Sequence, residues 1–308
     1  MEIKTVALIG AGAVGAYFIY GFTNLEGLDF CVVAEGDRAE RLKQDGIIIN
    51  ETVYHPQVKT PEEAAGADFL LVCTKYHGLP SALGMIERVV DDHTSVMSLL
   101  NGIDSEEIIG ERIGMEHMIY SVMRISSERR NGKIHFVPET TIGVSFGEKG
   151  SRDVSERVQA FADLMKRAGL KPIIEKDILL DQWSKYSMNI IYNLPQAILS
   201  VGFGAYYNSE NVAAIRDRMF EEVCSVAHAE GIPLHRQADW RSACVPAARF
   251  STLQDLDAGR HTEVEMFAGS LIRLAEKHGI AVPFCEFAYY AIKALEEKND
   301  GKFDFTAR

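Results

Sequence analysis

Cysteine is scarce in this chain. Five occur among 308 residues: Cys31, Cys73, Cys224, Cys244 and Cys285. The number is odd, no two have C-x-x-C spacing, and they sit in apolar surroundings such as the FLLVC run ending at Cys73. A disulfide framework or a zinc site is therefore not expected, and the thiols read as free and buried in a reducing compartment. Net positive charge is also lacking: 32 Lys and Arg face 44 Asp and Glu, a balance of −12. That excludes general affinity for nucleic acid phosphates or anionic membranes, though not a local basic pocket for a small anion. No long apolar run is free of polar groups. The window from Ile190 to Tyr207 contains Asn193, Pro195, Gln196, Gly202 and Gly204, which hydrocarbon cannot accommodate as a span. MEIKTVALIG has no basic region or cleavage site of a signal peptide, so a cytoplasmic location is expected. Nine histidines are scattered without metal-ligand spacing, so no metal site is expected.

What is present is a globular composition, 47% hydrophobic and 25% charged. At this length one core stops growing, and two domains are the default. The first half alternates strands and helices. Thr5–Ile9, Phe30–Ala34, Phe69–Cys73, Ser95–Leu100 and Met118–Arg124 read as strands. Lys133–Val137 and Thr141–Ser145 read as two more, open to pairing with each other, and Lys171–Ile174 as a last one. Helices are expected at Val14–Leu25, Ser81–Val90 and Ser155–Ala168. Thr60-Pro61-Glu62-Glu63 has the form of a helix N-terminus. Such alternation predicts a mostly parallel, doubly wound sheet with helices on both faces. After Asp177 the segments are helical: Leu179–Leu199, Val212–Glu230, an interrupted stretch from Ala238 to Leu256, Thr262–Lys277 and Phe284–Glu297. Gly231 and Gly279 stand where helix C-caps fall. The boundary is placed near residue 175. Residues 1–175 form the expected dinucleotide-binding domain, and 176–308 an all-helical domain for substrate and catalysis.

Gly10-Ala11-Gly12-Ala13-Val14-Gly15 fits G-x-G-x-x-G between a strand and a helix. Gly10 permits the tight turn, Gly12 a close approach to a pyrophosphate, and Gly15 close packing of the helix. The helix N-terminus adds unpaired N–H groups and a positive dipole end. Glu35 lies 20 residues after Gly15 (35 − 15), at the end of the second strand. A carboxylate there can accept from the ribose hydroxyls and repel a 2′-phosphate, which leans toward NAD. It can equally be a solvated loop carboxylate, and Arg38 and Arg41 are near enough to receive a phosphate.

Lys185, Asn189 and Asn193 recur every four residues among apolar neighbours, in WSKYSMNIIYN. They share one face of a helix. A buried polar stripe needs partners, so it reads either as the lining of a cleft or as a solvent-exposed face. Lysine can donate a proton, and amides can bind a carboxylate or hydroxyl.

These motifs, with CTKY around Lys75, LLNGID around Asn101, FSTLQDL with Ser251, and RHTEVE with Glu263, resemble the ketopantoate reductase family along essentially the whole chain. The resemblance implies a Rossmann-type domain followed by a helical one. It implies hydride transfer from NAD(P)H to the keto carbon of ketopantoate, giving D-pantoate for coenzyme A synthesis. By position it makes Lys185 the general acid, with Asn189, Asn193 and Ser251 as substrate-binding residues. Lys75 and Asn101 fall at the cofactor–substrate junction, and Glu263 on the cofactor. Local alternatives stand beside these roles. Lys75 fits a solvated loop, Asn101-Gly102 a turn, and Ser251 a helix cap or buried hydroxyl. Thr262 and Glu265 fit a capping box that puts Glu263 in the first turn, and His261 beside it merits inspection.

Two positions depart from the family pattern. Family precedent leans toward NADP through a basic residue where Glu35 stands. A polar substrate-binding position is Phe203, which implies a more apolar pocket. Both favour, as an alternative, an NAD-dependent D-2-hydroxyacid dehydrogenase for branched or aromatic 2-keto acids. A non-catalytic dinucleotide-binding sensor is a further reading, against which Lys185, Asn189, Asn193 and Ser251 argue. The expected partner is a small 2-keto acid, and monomer and homodimer both remain open.

Overall fold

A computed structural model of the chain describes residues 2–151, 153–235 and 245–304. By its contacts the chain divides into two compact units, Met1–Asp181 and Gln182–Arg308. Cys244 and the start of the stretch from Ala238 lie outside the described residues.

Among its described residues the first unit has twelve strands: β1 Thr5–Ile9, β2 Asp29–Val33, β3 Ile47–Ile49, β4 Thr52–Tyr54, β5 Gln57–Lys59, β6 Phe69–Val72, β7 Ser95–Ser98, β8 Met118–Arg124, β9 Ser127–Arg130, β10 Lys133–Phe136, β11 Gly143–Gly147 and β12 Pro172–Ile174. Its helices are α1 Gly15–Phe22, α2 Gly36–Asp45, α3 Leu79–Val89, α4 Ser105–Ile113 and α5 Glu156–Arg167. Eight strands form one sheet in the order β12-β11-β8-β7-β6-β1-β2-β5. All its pairs are parallel except β8 with β11. The central strand shows why its sequence is continuously apolar. Val6 and Leu8 enter the core under α1 and α5, while Ala7 and Ile9 enter the opposite core under α3 and α4. Both faces are covered, so the sheet is doubly wound.

Three expectations are corrected here. Lys133–Val137 and Thr141–Ser145 do not pair. β10 instead joins a separate sheet in the order β4-β3-β10-β9, hairpinned to β9, while β11 stays in the main sheet beside β8 and β12. The hairpin closes through Asn131 and Gly132 at φ 49° and 81°, the positive pair that a two-residue primed turn requires. The Thr60 capping box forms, since Thr60 N donates to Glu63 at 2.8 Å and Glu63 N to Thr60 Oγ1 at 3.3 Å. No α-helix follows it, because Gly66 at φ 71° reverses the chain into β6. Finally, α1 is shorter than Val14–Leu25 and ends at Phe22.

The second unit, in which no strand occurs among the described residues, contains most of α6 Ile178–Met188, then α7 Leu194–Leu199, α8 Ala205–Asn208, α9 Glu210–Ala229, α10 Ser251–Asp257, α11 Ser270–His278 and α12 Pro283–Asn299. α9 packs against α11 and α12, around Met219, Val223, Leu271, Cys285 and Ile292, all buried. The expected helices 179–199 and 262–277 are each broken by a π turn, at Asn189–Asn193 and Glu265–Gly269. Each π turn has a carbonyl taken by a distant tyrosine: Tyr206 Oη donates to Tyr192 O at 2.5 Å, and Tyr186 Oη to Phe267 O at 2.6 Å. These bonds occupy carbonyls where the regular ladder is interrupted. Gly279 caps α11 in the left-handed conformation, as its position implied.

Candidate active site

The first unit gathers its site residues through strand order. β1, β2, β6 and β7 run parallel, so the segments after them emerge at one edge of the sheet. The chain order reverses between β1 and β6, the switch point at which open α/β sheets bind ligands. Gly10–Gly15 follows β1, Glu35 follows β2, Lys75 follows β6, and Asn101 follows β7.

The three glycines of the turn differ in what surrounds them. Gly10 has φ 106°, and a Cβ there would lie 2.5 Å from Cys73 C. At Gly15 a Cβ would lie 2.0 Å from Gly10 O. Both positions are closed by the protein itself. A Cβ on Gly12 meets nothing within 4 Å, so the space before it is open to a ligand. Ala11 is buried and Ala13 and Val14 are half-buried. The Ser127 hydroxyl at the start of β9 donates to Ala13 O at 3.1 Å, steadying the turn. No side chain caps α1; Ala16 N and Tyr17 N donate to Gly12 O and Val14 O at 2.9 and 3.1 Å, so the N–H groups a phosphate would meet are those of the turn just before them. Beside the turn, Thr74 Oγ1 is buried without a hydrogen-bond partner among the described residues. Open space, uncapped helix and orphaned hydroxyl all fit a dinucleotide. Sequence reasoning passed over Thr74, although it stands within CTKY next to Lys75.

Glu35 is neither a lone carboxylate nor partnered by Arg38 or Arg41. It precedes α2 in the N-cap position, with extended backbone. Arg88, on α3, forks onto it: Nη1 donates to Oε1 at 3.0 Å and Nη2 to Oε2 at 2.8 Å. Arg88 Nη1 also donates to Glu62 Oε1 at 2.7 Å. The hydrogen-bonded guanidinium holds the Glu35 carboxyl below its ordinary range. Arg88 lies 53 residues from Glu35 in the chain, and no local motif links them. Lys75 is exposed and precedes a short 3₁₀ turn at Tyr76–Gly78; Asn101 is half-buried in its loop. Tyr76 Oη donates to Asp104 Oδ2 at 2.7 Å and so ties the two loops together.

In the second unit the polar stripe falls across a π turn. Lys185 lies in α6, while Asn189 and Asn193 begin and end the turn. Four residues of α-helix advance the face by about 40° beyond a full turn. The wider π turn advances less per residue and offsets part of that drift. The stripe is not a solvent-exposed face: Lys185 and Asn189 are half-buried and Asn193 is 6% exposed.

Ser251 opens α10 as an exposed first residue, with Phe250 in the cap position. It is therefore neither the helix cap nor a buried hydroxyl. Its position is set by Gln196 of α7, which is fully buried and was not anticipated. Gln196 Oε1 accepts from Phe250 N at 2.6 Å, and its Nε2 donates to Ala248 O at 2.9 Å. Phe203 is 2% exposed and packs against Tyr192, Tyr206, Tyr207 and Phe250. It is a core residue, and one of its ring contacts, Phe250, directly precedes Ser251.

The proposed capping box at Thr262 is also rearranged. Thr262 Oγ1 accepts from Val264 N at 3.2 Å, but the reciprocal carboxylate is Glu296 of α12, which takes Thr262 N at 2.7 Å. Glu265 is drawn to Tyr289 instead. Glu263 is half-buried, and its carbonyl accepts from Met266 N and Phe267 N at 3.0 and 3.1 Å. His261 is a surface residue 3.1 Å from Asp300 Oδ2. No metal-holding group of His, Cys, Asp and Glu occurs among the described residues. Their helices include none long and apolar enough to cross a membrane. Cys31, Cys73 and Cys285 are buried and free, whereas Cys224 is half-buried. Burial pushes the Cys31 thiol up to about 11.

Two family models match the chain. The one described as ketopantoate reductase PanE/ApbA covers residues 6–148, and its C-terminal counterpart covers 177–296. The 2-dehydropantoate 2-reductase of Streptococcus pyogenes is 26% identical over 302 residues, with 94% of this chain and 97% of that protein aligned. Among solved structures, a PanE/ApbA family ketopantoate reductase from Ralstonia eutropha superposes with a TM-score of 0.82 at 22% identity, covering 96% of this chain and 100% of the other. A D-mandelate dehydrogenase in ternary complex with NADH and anilino(oxo)acetate gives 0.80 at 21% identity, with the same coverage. At these identities the structures attest the fold: a Rossmann-type sheet unit followed by a helical one.

Proposed function

The chain belongs to the ketopantoate reductase family, and we propose that it reduces a 2-keto acid to the corresponding D-2-hydroxy acid with a reduced nicotinamide dinucleotide. The observation that carries this reading is the glycine turn at the sheet's switch point, closed by protein at Gly10 and Gly15 and open before Gly12.

In this reading the first unit holds the cofactor. The α1 N-terminus and the Gly10–Gly15 backbone receive the pyrophosphate, and Glu35 accepts from the adenosine ribose; Glu263, a residue of the second unit, is a cofactor contact by family resemblance alone. When bound, the nicotinamide supplies the hydride to the keto carbon. Lys185 donates a proton to the keto oxygen, so hydride and proton together make the hydroxyl. Lysine's ordinary pKa of about 10.4 leaves the free side chain protonated at neutral pH. Asn189, Asn193 and Ser251 orient the substrate, and Lys75 draws its carboxylate toward the nicotinamide, with Asn101 also at the cofactor–substrate junction.

Ketopantoate is the leading substrate, on the family's name and on that of the Streptococcus relative. Glu35 at the ribose position favours a second reading, an NADH-dependent dehydrogenase of branched or aromatic 2-hydroxy acids, the type to which the D-mandelate dehydrogenase belongs. Initial rates with ketopantoate, 2-ketoisocaproate and phenylpyruvate, each with NADH and NADPH, separate the two. Ketopantoate turnover well above the others is expected. Negligible ketopantoate turnover beside rapid reduction of another keto acid would replace the first reading with the second.

A further inference from the structure

Arg88 carries five N–H donors in a rigid planar fork. Nε donates to Gly84 O at 3.0 Å, Nη1 to Glu35 and Glu62 at 3.0 and 2.7 Å, and Nη2 to Glu35 at 2.8 Å. The cation nearest the expected ribose-reading carboxylate is thus engaged by two carboxylates. The three groups sum to one negative charge (1 − 2 = −1). Their side chains are 41%, 46% and 62% exposed for Arg88, Glu35 and Glu62. Ion pairs this exposed exchange partners at little cost.

We propose that Arg88 is a latent receptor for a ribose 2′-phosphate, and that Glu35 and Glu62 acting together keep it occupied. The proposal rests on the nicotinamide-reductase reading above. Glu35 stands where a carboxylate meets the ribose hydroxyls of NAD, and the Arg88 fork is in direct contact with that carboxylate. A phosphate in place of the carboxylate would meet the same two parallel donors, a geometry that guanidinium fits and ammonium does not. Glu62 is the second lock. With Glu35 neutralised, Arg88 still has a carboxylate partner 2.7 Å away. Cofactor choice is then set by three residues from three segments: the end of β2, the turn after Thr60, and α3.

The test is binding of adenosine 2′,5′-bisphosphate and of 5′-AMP to the full-length protein by calorimetry, without keto acid. NADH and NADPH binding, followed by nicotinamide fluorescence, accompanies it. The variants are Glu35→Gln, Glu62→Gln, the double variant, and the double variant with Arg88→Gln; the two Glu→Gln changes keep side-chain size and remove a charge, and Arg88→Gln removes the fork itself. Wild type is expected to prefer 5′-AMP. Glu35→Gln gains a few-fold for the bisphosphate, and Glu62→Gln alone gains little. The double variant gains about tenfold or more beyond Glu35→Gln, as a freed charge-assisted fork allows. Adding Arg88→Gln removes that gain. If the triple variant kept the gain, or Glu35→Gln alone reached it, the proposal would be overturned while NADH binding left the reductase reading standing. Wild type that bound no nucleotide or dinucleotide would overturn both. Melting temperatures near that of wild type confirm that each variant is folded.

Discussion

The first unit presents its candidate residues on loops at the ends of parallel strands, whereas the second presents them on helices interrupted by π turns. In the first, the proposed recognition is largely through backbone: the open space before Gly12 and the uncapped start of α1 need no particular side chain beyond glycine. In the second, the proposed chemistry rests on side chains, Lys185, Asn189 and Asn193, which are set along α6 and the π turn that follows it. A backbone site is fixed by topology and fails through steric intrusion. A side-chain site is fixed by local helical register and fails through loss of a functional group.

The largest expected effect lies on the side-chain half. Lys185→Ala should lower kcat by about 10²- to 10⁴-fold, the usual contribution of a positioned acid, while NADH still binds with near wild-type affinity. Stopped-flow turnover beside a fluorescence titration checks both, and unimpaired turnover would take the acid's role away from Lys185.

The glycines come next, and they contrast structure with ligand. Gly10→Val places a β-branched residue at φ 106° against the Cys73 backbone, costing at least about 1–3 kcal/mol in strain alone. Its melting temperature should fall along with binding. Gly12→Val enters open space, so melting should stay put while NADH affinity drops about tenfold or more, or about 1.4 kcal/mol. Equal losses of stability in the two variants would mean that the space before Gly12 is not a ligand's.

The smallest effect on turnover and cofactor binding concerns Glu106, fully buried on α4 beside Ser105. Burial, then the neighbouring Glu107 charge, pushes its carboxyl up to about 8. The folded protein therefore holds this proton more tightly than the unfolded chain does. Its contribution to stability is complete below the ordinary carboxyl range. It is lost as pH rises from there through about 8. Melting temperature should accordingly decline across that window in wild type, and the decline should be shallower in Glu106→Gln. Parallel profiles would show that Glu106 does not titrate there.

Legibility in the sequence divides along similar lines. β1 and β8 were readable to the residue because strands buried on both faces are nearly continuous apolar runs, β8 being interrupted only by the buried Ser121 before it ends at Arg124. β9, Ser-Glu-Arg-Arg, has no apolar period, so the second sheet was invisible and β10 was offered the wrong neighbour. The π turns were hidden because widening a helix leaves no change in composition to read. Glu35 was legible as a residue but not as an ion pair, since its partner lies on a helix far along the chain. Ser251 could be named from its motif, whereas Gln196, which holds the segment before it, looked like any apolar helix's stray amide.

β9 has one more consequence. It is an outer strand of the four-stranded sheet, with no further strand paired to it among the described residues, and Glu128, Arg129 and Arg130 on it are all exposed. An open edge offers unpaired N–H and C=O groups to any strand that passes, including the same strand of another molecule. Closely spaced charges of both signs make that docking costly, because stacking would bury them. The segment that carries the least information about the fold thus helps keep a crowded solution of this protein from fibrous self-association.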